Sequence, residues 1–288
     1  MTQIDNKSPD ADRAIALMQR AAEASRSDAF RFGFVIELPS EGEALVTGDL
    51  HGNRANLQRI IQLSNLQRHP KRHLVLQELV HDLETEDDVC RSYRLVEIAA
   101  QLKSAFPNQA HILLGNHEFS EMLNLEIGKR GRELNEPFEQ GMRAAYGERW
   151  EEVKNAYRVF WRGSPLVVRT ANRVLVSHST PRLDRMDDLT LDYLRTASPD
   201  AVFHRDGPVF AMLWDRDYRP EAAEAFARRM QAEVLIVGHT PCRDGWRIPN
   251  DRHVVLDCKD LEARYALLPL DRELSQRQIL AYVHKLYR

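Results

Sequence analysis

Three times before residue 119, a short apolar run ends in polar residues and passes into a helical pattern. Ala44-Leu-Val-Thr47 ends in Gly48-Asp-Leu-His-Gly52. A helix over 53–66 follows, with Leu57, Ile60, Ile61 and Leu63 as its core face and Asn53 as its cap. The run 73–77 leads into Glu78-Leu-Val-His81-Asp82, ahead of a helix expected from about Asp87 to residue 106. The run 111–114 ends in Gly115-Asn-His-Glu118. Runs this short, rich in Val, Leu and Ile and closed by glycine, read as buried strands. Their alternation with helices requires an α/β sheet with helices on its faces. Ligand sites in such sheets lie beyond the carboxyl ends of the strands. Asp49, His51, Glu78, Asn116 and His117 therefore share one rim.

The rest of the chain divides around this frame. Residues 1–9 are polar and carry no element, whereas 10–24 space Ala14, Leu17, Met18, Ala21 and Ala22 as an amphipathic helix. Residues 34–38 read as a strand. The span 119–162 is helical, rich in Glu and Arg, and holds Trp150, Tyr157, Phe160 and Trp161. It reads equally as a lid leaning over the rim and as a solvated helical pair with aromatic anchors. After Pro165, two runs (166–170 and 173–177) flank Ala171-Asn172, a two-residue hairpin turn that delivers His178. A helix is expected over 220–231, and Val234-Leu-Ile-Val237 ends in Gly238-His239-Thr240-Pro241. Strands at 253–257 and 263–268 and a closing helix over 275–286 complete the chain, which reads as one domain over 1–288.

Five strands thus end in a residue able to bind a metal: Asp49 with His51, Glu78, Asn116 with His117, His178 and His239. The donors are oxygen and nitrogen with no thiolate, which favours Mn2+, Fe, Zn2+, Co2+ or Ni2+. Cys90, Cys242 and Cys258 form no Cys-x-x-Cys pair, so a reducing compartment is expected. A net charge of −3 argues against a nucleic-acid partner. No apolar run is long enough for a membrane span, and the start lacks a secretory pattern. A cytoplasmic location is the expectation.

Taken in order, Gly48-Asp-Leu-His-Gly52, Gly115-Asn-His-Glu118, Ser177-His178 and Gly238-His239-Thr240-Pro241 resemble the motifs of the calcineurin-like metallophosphoesterase superfamily. Their short forms look most like the branch of bacterial diadenosine tetraphosphatases and Ser/Thr protein phosphatases. The resemblance implies a four-layer α/β/β/α sandwich with two divalent metals at the strand ends, Mn2+ foremost. Asp49 and His51 would hold the first metal, Asn116, His178 and His239 the second, and Glu78 would bridge them in place of the family's Asp. His117 would protonate the leaving oxygen as general acid, or else only tighten a neighbouring ligand.

The chain departs from the pattern between Gln77 and Asp82. His81 stands where the family has the Asp that orients the motif histidine, so either Asp82 takes over or that helper is absent. The motif's phosphate-binding Arg is missing, and Arg54 and Arg216 are the candidates to replace it. Asp257 is read either as orienting His239 or as a turn residue. Cys242 and Cys258 are read as small buried hydrophobes or as redox-sensitive neighbours of the metals.

The implied activity is a phosphoesterase using metal-activated hydroxide on a phosphomonoester, including a Ser/Thr phosphoprotein. The alternatives are a diadenosine polyphosphate or nucleotide pyrophosphate hydrolase, and a weakly catalytic relative that binds a phosphorylated ligand. Expected partners are a phosphorylated small molecule, a nucleotide or a phosphoprotein, with no membrane.

Overall fold

Alternate residues of the apolar runs face opposite layers, and both faces are buried. That explains why these strands read as continuous apolar runs and show no polar alternation. The structure, a computed structural model, describes residues 10–82, 89–129 and 131–287. The polar start and the expected beginning of the helix at Asp87 lie outside the described residues.

In chain order the strands are β1 (Arg31–Phe32), β2 (Val35–Leu38), β3 (Glu43–Asp49), β4 (Arg72–Gln77), β5 (Ala110–Leu113), β6 (Gly128–Lys129), β7 (Arg132–Glu133), β8 (Val167–Thr170), β9 (Val174–Ser177), β10 (Val234–Val237), β11 (Trp246–Arg247), β12 (His253–Leu256), β13 (Arg264–Pro269) and β14 (Val283–Lys285). The helices are α1 (Ala11–Arg26), α2 (Arg54–Ser64), α3 (Tyr93–Ala105), α4 (Asn116–Leu123), α5 (Asn135–Tyr146), α6 (Trp150–Arg162), α7 (Leu191–Thr196), α8 (Pro199–Val202), α9 (Pro208–Trp214), α10 (Pro220–Arg229) and α11 (Gln276–Ile279).

Two large sheets form, ordered β14-β13-β3-β4-β5 and β1-β2-β8-β9-β10-β12-β11, beside a two-stranded β6-β7 hairpin. Strands β3, β4 and β5 run parallel, as do β9, β10 and β12. Val46, Val75 and Leu113 join Val168, Val176 and Ile236 in the apolar layer between the sheets. Their neighbours Leu45, Leu74, Ile112, Leu175 and Leu235 belong to the core under the helices. Each such side chain, fully buried, contributes roughly 1.5–3 kcal/mol. This is the expected sandwich of two sheets between helical layers. α2 begins where the sequence placed it, with the Asn53 side chain accepting from the Asn56 amide at 3.0 Å.

The structure corrects the sequence reading at three places, the first being the span 119–162, where the antiparallel β6-β7 pair interrupts the expected helices. The hairpin between β8 and β9 has three loop residues, and the third, Arg173, is left-handed (φ 65°). The Arg173 amide donates to the Thr170 carbonyl at 3.0 Å, giving a turn followed by a left-handed residue, a standard three-residue hairpin loop. The closing segment is not one helix. Ser275 caps the short α11 with a full capping box, and the chain then extends as β14 to pair antiparallel with β13. Pairing covers an edge of the sheet that would otherwise be exposed. Within 119–162, α6 lies along α1 and α4 and buries Tyr157, Phe160 and Trp161. These aromatics are anchors of the outer helical layer.

A buried polar cluster joins this layer to the N-terminal ends of β4 and β5, opposite the rim. Asp28 Oδ2 lies 2.7 Å from Lys103 Nζ and 3.0 Å from His111 Nδ1, and His111 Nε2 lies 3.1 Å from His73 Nδ1. Burial alone would raise the Asp28 carboxyl, but His111 and Lys103 outweigh it and hold it below the usual range. Burial first, then the neighbouring His111, pushes His73 down to about 4. Burial likewise lowers His111. A histidine depressed in the folded state contributes its full stability above its unfolded pKa near 6.5. That stability is lost as pH falls toward 4, because only the unfolded chain takes up the proton. For His73 the loss reaches about 3 kcal/mol. Urea unfolding of the metal-free protein between pH 7 and 4.5 should show this fall, and His73→Gln should make it shallower. An unchanged slope in that variant would refute the assignment.

Candidate metal centre

The C-terminal ends of β3, β4, β5, β9 and β10 converge, and tight turns aim their polar residues inward. His51, Glu78 and His239 all adopt left-handed backbone, with φ of 40°, 48° and 61°. For a residue with a Cβ this costs of order 1–3 kcal/mol and persists only where the surroundings impose it. Here the turns are tied together. The Glu78 carbonyl accepts from the Leu50 and His51 amides at 3.0 and 2.9 Å. Asp49 Oδ1 accepts from the His239 amide at 2.8 Å. Two glycines let the carboxylates come close. A Cβ on Gly238 would stand 2.2 Å from Asp49 Oδ1, and one on Gly115 would stand 2.6 Å from Glu78 Oε2.

The two buried imidazoles show what the site is built to receive. His178 Nδ1 faces the Gln77 side-chain oxygen at 3.4 Å. His239 Nε2 faces the Trp214 carbonyl at 3.0 Å. Each of those nitrogens has an oxygen acceptor and so carries its ring's hydrogen. Burial foremost lowers the pKa of both rings, His239 well below its ordinary value, so both are neutral. The remaining nitrogens, His178 Nε2 and His239 Nδ1, are then bare lone pairs facing each other across 3.0 Å. His178 Nε2 is also 2.9 Å from Glu78 Oε2 and 2.9 Å from Asn116 Oδ1. Four acceptors this close repel one another unless a cation lies among them. Ligands at about 2.1 Å from one ion and at right angles stand about 3.0 Å apart, which is the spacing found here. Glu78, His178 and His239 are all buried and can present one donor atom each within 4.8 Å of the others. The residues present fit a divalent metal.

Asp49 and His51 lie beside this cluster. His51 Nε2 is 3.7 Å from Asp49 Oδ2, and Asp49 Oδ1 is 3.9 Å from His178 Nδ1. Glu118, which follows the motif histidine, accepts from the Leu79 and Val80 amides at 2.7 and 3.1 Å. Burial, and then the Glu78 carboxylate, push its carboxyl well above the usual range. Through these two bonds Glu118 steadies the turn that presents Glu78.

His117 begins at the Glu78 carboxylate, whose Oε1 accepts from its amide at 3.1 Å. Its Nδ1 is 2.9 Å from Nδ1 of His81. The side chain meeting His117 is thus that of His81. Asp82 instead packs against Gly52, and its amide donates to Cys90 Sγ at 3.2 Å. Arg216 is held at the rim by the His239 carbonyl, 3.2 Å from Nη2. Arg54 is the first residue of α2, and its buried Nε has no hydrogen-bond partner among the described residues. Asp257 forms a parallel bridge with Asp49 at the end of β3, and its oxygens accept from the Cys242 and Lys259 amides at 2.9 and 3.0 Å, while the His239 ring faces the Trp214 carbonyl. Cys258 is buried and Cys242 half-buried, and burial raises both thiols, that of Cys242 to about 11. Neither is a reactive thiolate at neutral pH.

Sequence reasoning assigned no role to Gln77, Trp214 or Glu118. Gln77 immediately precedes Glu78 and was within its reach. The Trp214 carbonyl left no trace in side-chain identity.

A two-sheet sandwich with a buried oxygen-and-nitrogen donor cluster at its strand ends fits a metallophosphoesterase. The chain belongs to the calcineurin-like phosphoesterase family, whose model matches residues 43–243, and it is a hydrolase of phosphate esters. No curated protein matches it in sequence. Among solved structures it is similar to a protein serine/threonine phosphatase from Saccharomyces cerevisiae, with a TM-score of 0.70 and 17% identity over 94% of this chain and 86% of that one. It is also similar to a cold-active protein-tyrosine phosphatase from a psychrophilic Shewanella, with a TM-score of 0.61 and 13% identity over 92% and 84%. At these identities the likeness is one of fold. No helix among the described residues is long and apolar enough to cross a membrane.

Proposed function

We propose that the protein is a dinuclear metal-dependent phosphatase acting on phosphomonoesters. The observation that carries this reading is the pair of bare imidazole nitrogens, His178 Nε2 and His239 Nδ1, converging with Glu78 and Asn116. Glu78, Asn116, His178 and His239 would hold one ion, and Asp49, His51 and Glu78 the other. Divalent ions there, Mn2+ foremost, would polarise the phosphoryl oxygens and make a water nucleophilic at neutral pH. The protein's own groups do the rest. Arg216 and Arg54 offer guanidinium donors to the phosphate. His117 gives a proton to the leaving oxygen. The two phosphatases of similar fold support a monoester substrate.

Metal analysis and Mn2+-dependent hydrolysis of p-nitrophenyl phosphate test the proposal. Two ions per chain with turnover is the expected result, and a metal-loaded protein inert on every phosphoester would overturn it. Preference for diadenosine tetraphosphate over aryl phosphates and phosphopeptides would reassign the substrate. Asn116→Ala and His239→Ala should each lower kcat by about 10²-fold or more without unfolding the chain. Wild-type turnover in either variant would refute these ligands.

A further inference from the structure

A row of polar side chains leads from the centre toward the surface. The His51 ring stands edge-on to His117, with centroids 4.8 Å apart. His117 Nδ1 meets His81 Nδ1 at 2.9 Å, and His81 Nε2 meets Glu121 Oε1 at 2.9 Å. Glu121 Oε2 is 2.8 Å from Lys154 Nζ, which is also 2.7 Å from Glu139 Oε1. His81 and Glu121 are fully buried, and Lys154 nearly so. His117 and Glu121 are one turn apart on α4, so one helix face presents both to His81.

The protons in this row have a definite order. Burial alone would raise the Glu121 carboxyl, but His81 and Lys154 outweigh it and keep it below the usual range. A carboxylate only accepts, so His81 Nε2 carries the hydrogen. With the His81 ring neutral, its Nδ1 is the acceptor, and the 2.9 Å contact is a hydrogen bond from His117 Nδ1–H. That leaves Nε2 of His117 as its nitrogen for the reacting atoms. Lys154 neutralises Glu121 and keeps a second partner in Glu139, so no buried charge is left alone.

We propose that His81, fixed in one tautomer by Glu121 and Lys154, is the positioning residue that holds His117 as proton donor to the leaving oxygen. This rests on the phosphatase reading above. In hydrolysis a water oxygen bonds to phosphorus as the bond from phosphorus to the leaving oxygen breaks, and the electron pair of the broken bond stays on that leaving oxygen. The leaving oxygen takes the Nε2 proton of His117, while the His117 Nδ1–H remains hydrogen-bonded to His81. One proton of the attacking water passes to solvent, the other stays on the phosphate, and a solvent proton restores His117. An imidazole backed by a carboxylate thus fills the place that resemblance assigns to a single Asp.

The test compares phenyl phosphate with p-nitrophenyl phosphate, whose leaving oxygen needs a proton far less, in His81→Phe and Glu121→Gln. Phenylalanine keeps the ring volume beside Phe138 and removes both nitrogens. The kcat ratio of p-nitrophenyl to phenyl phosphate should rise about 10–100-fold in His81→Phe and in the same direction in Glu121→Gln, with metal content unchanged. A role in packing alone would lower both rates together. An unchanged ratio in folded, metal-loaded variants would overturn the relay, and Glu121→Gln decides if His81→Phe does not fold. Wild-type protein inert on both esters would instead defeat the phosphatase reading.

Discussion

Glu78→Gln is expected to lower kcat on p-nitrophenyl phosphate by about 10³-fold, or roughly 4 kcal/mol of transition-state stabilisation. Gln has the same shape and can still accept from the His117 amide, so the turn should survive. What it loses is the anionic oxygen that stands 2.9 Å from His178 and also raises the Glu118 carboxyl. Two cations held close together need that charge between them. Metal content should fall below two per chain. The metal-free variant should melt no lower than metal-free wild type, because one of two facing buried carboxylates is gone. Wild-type turnover with full metal content would remove Glu78 from the centre.

Asp28→Ala is expected to destabilise the protein by about 3–5 kcal/mol, the usual result of removing one partner of a buried ion pair. Lys103 would keep the Pro107 carbonyl at 2.5 Å but lose its counter-charge, and His111 would lose its carboxylate contact. At roughly 2–4 °C per kcal/mol in chains of this size, the melting temperature should drop by about 6–20 °C. Thermal unfolding at pH 7 measures it. Turnover per folded molecule should not change, since the cluster sits at the opposite ends of β4 and β5 from the rim. A variant melting within a degree of wild type would show that burial of Lys103, and not its pairing, dominates there.

The parts of this protein legible in the sequence are those where residue type and position speak together. Val234-Leu-Ile-Val237 is apolar because both faces are covered, and His239 stands out because it ends that run. The same logic exposed Asp49, Glu78, Asn116 and His178. Legibility failed where the neighbour comes from elsewhere in the chain. Glu121 and Lys154 lie in the charged helical span 119–162, where nothing local marks them, yet each neutralises the other in the interior. Asp28 gave no signal, since nothing local says that Lys103 and His111 will surround it. The closing residues looked helical because a period over so few positions fits either state, and pairing with β13 decides for a strand. Arg173 hid a left-handed turn because it is not glycine.

Asn116, His117, Glu118 and Glu121 all ride on α4. When that short helix shifts against the sheets, the proposed metal ligand, the proposed proton donor and the end of its relay move together. Their mutual distances are insulated from the displacement, as those of tools mounted on one carriage would be. The separation exposed to thermal drift is the one between α4 and the turn of Glu78, where the His117 amide and the Glu118 carboxyl form the mount.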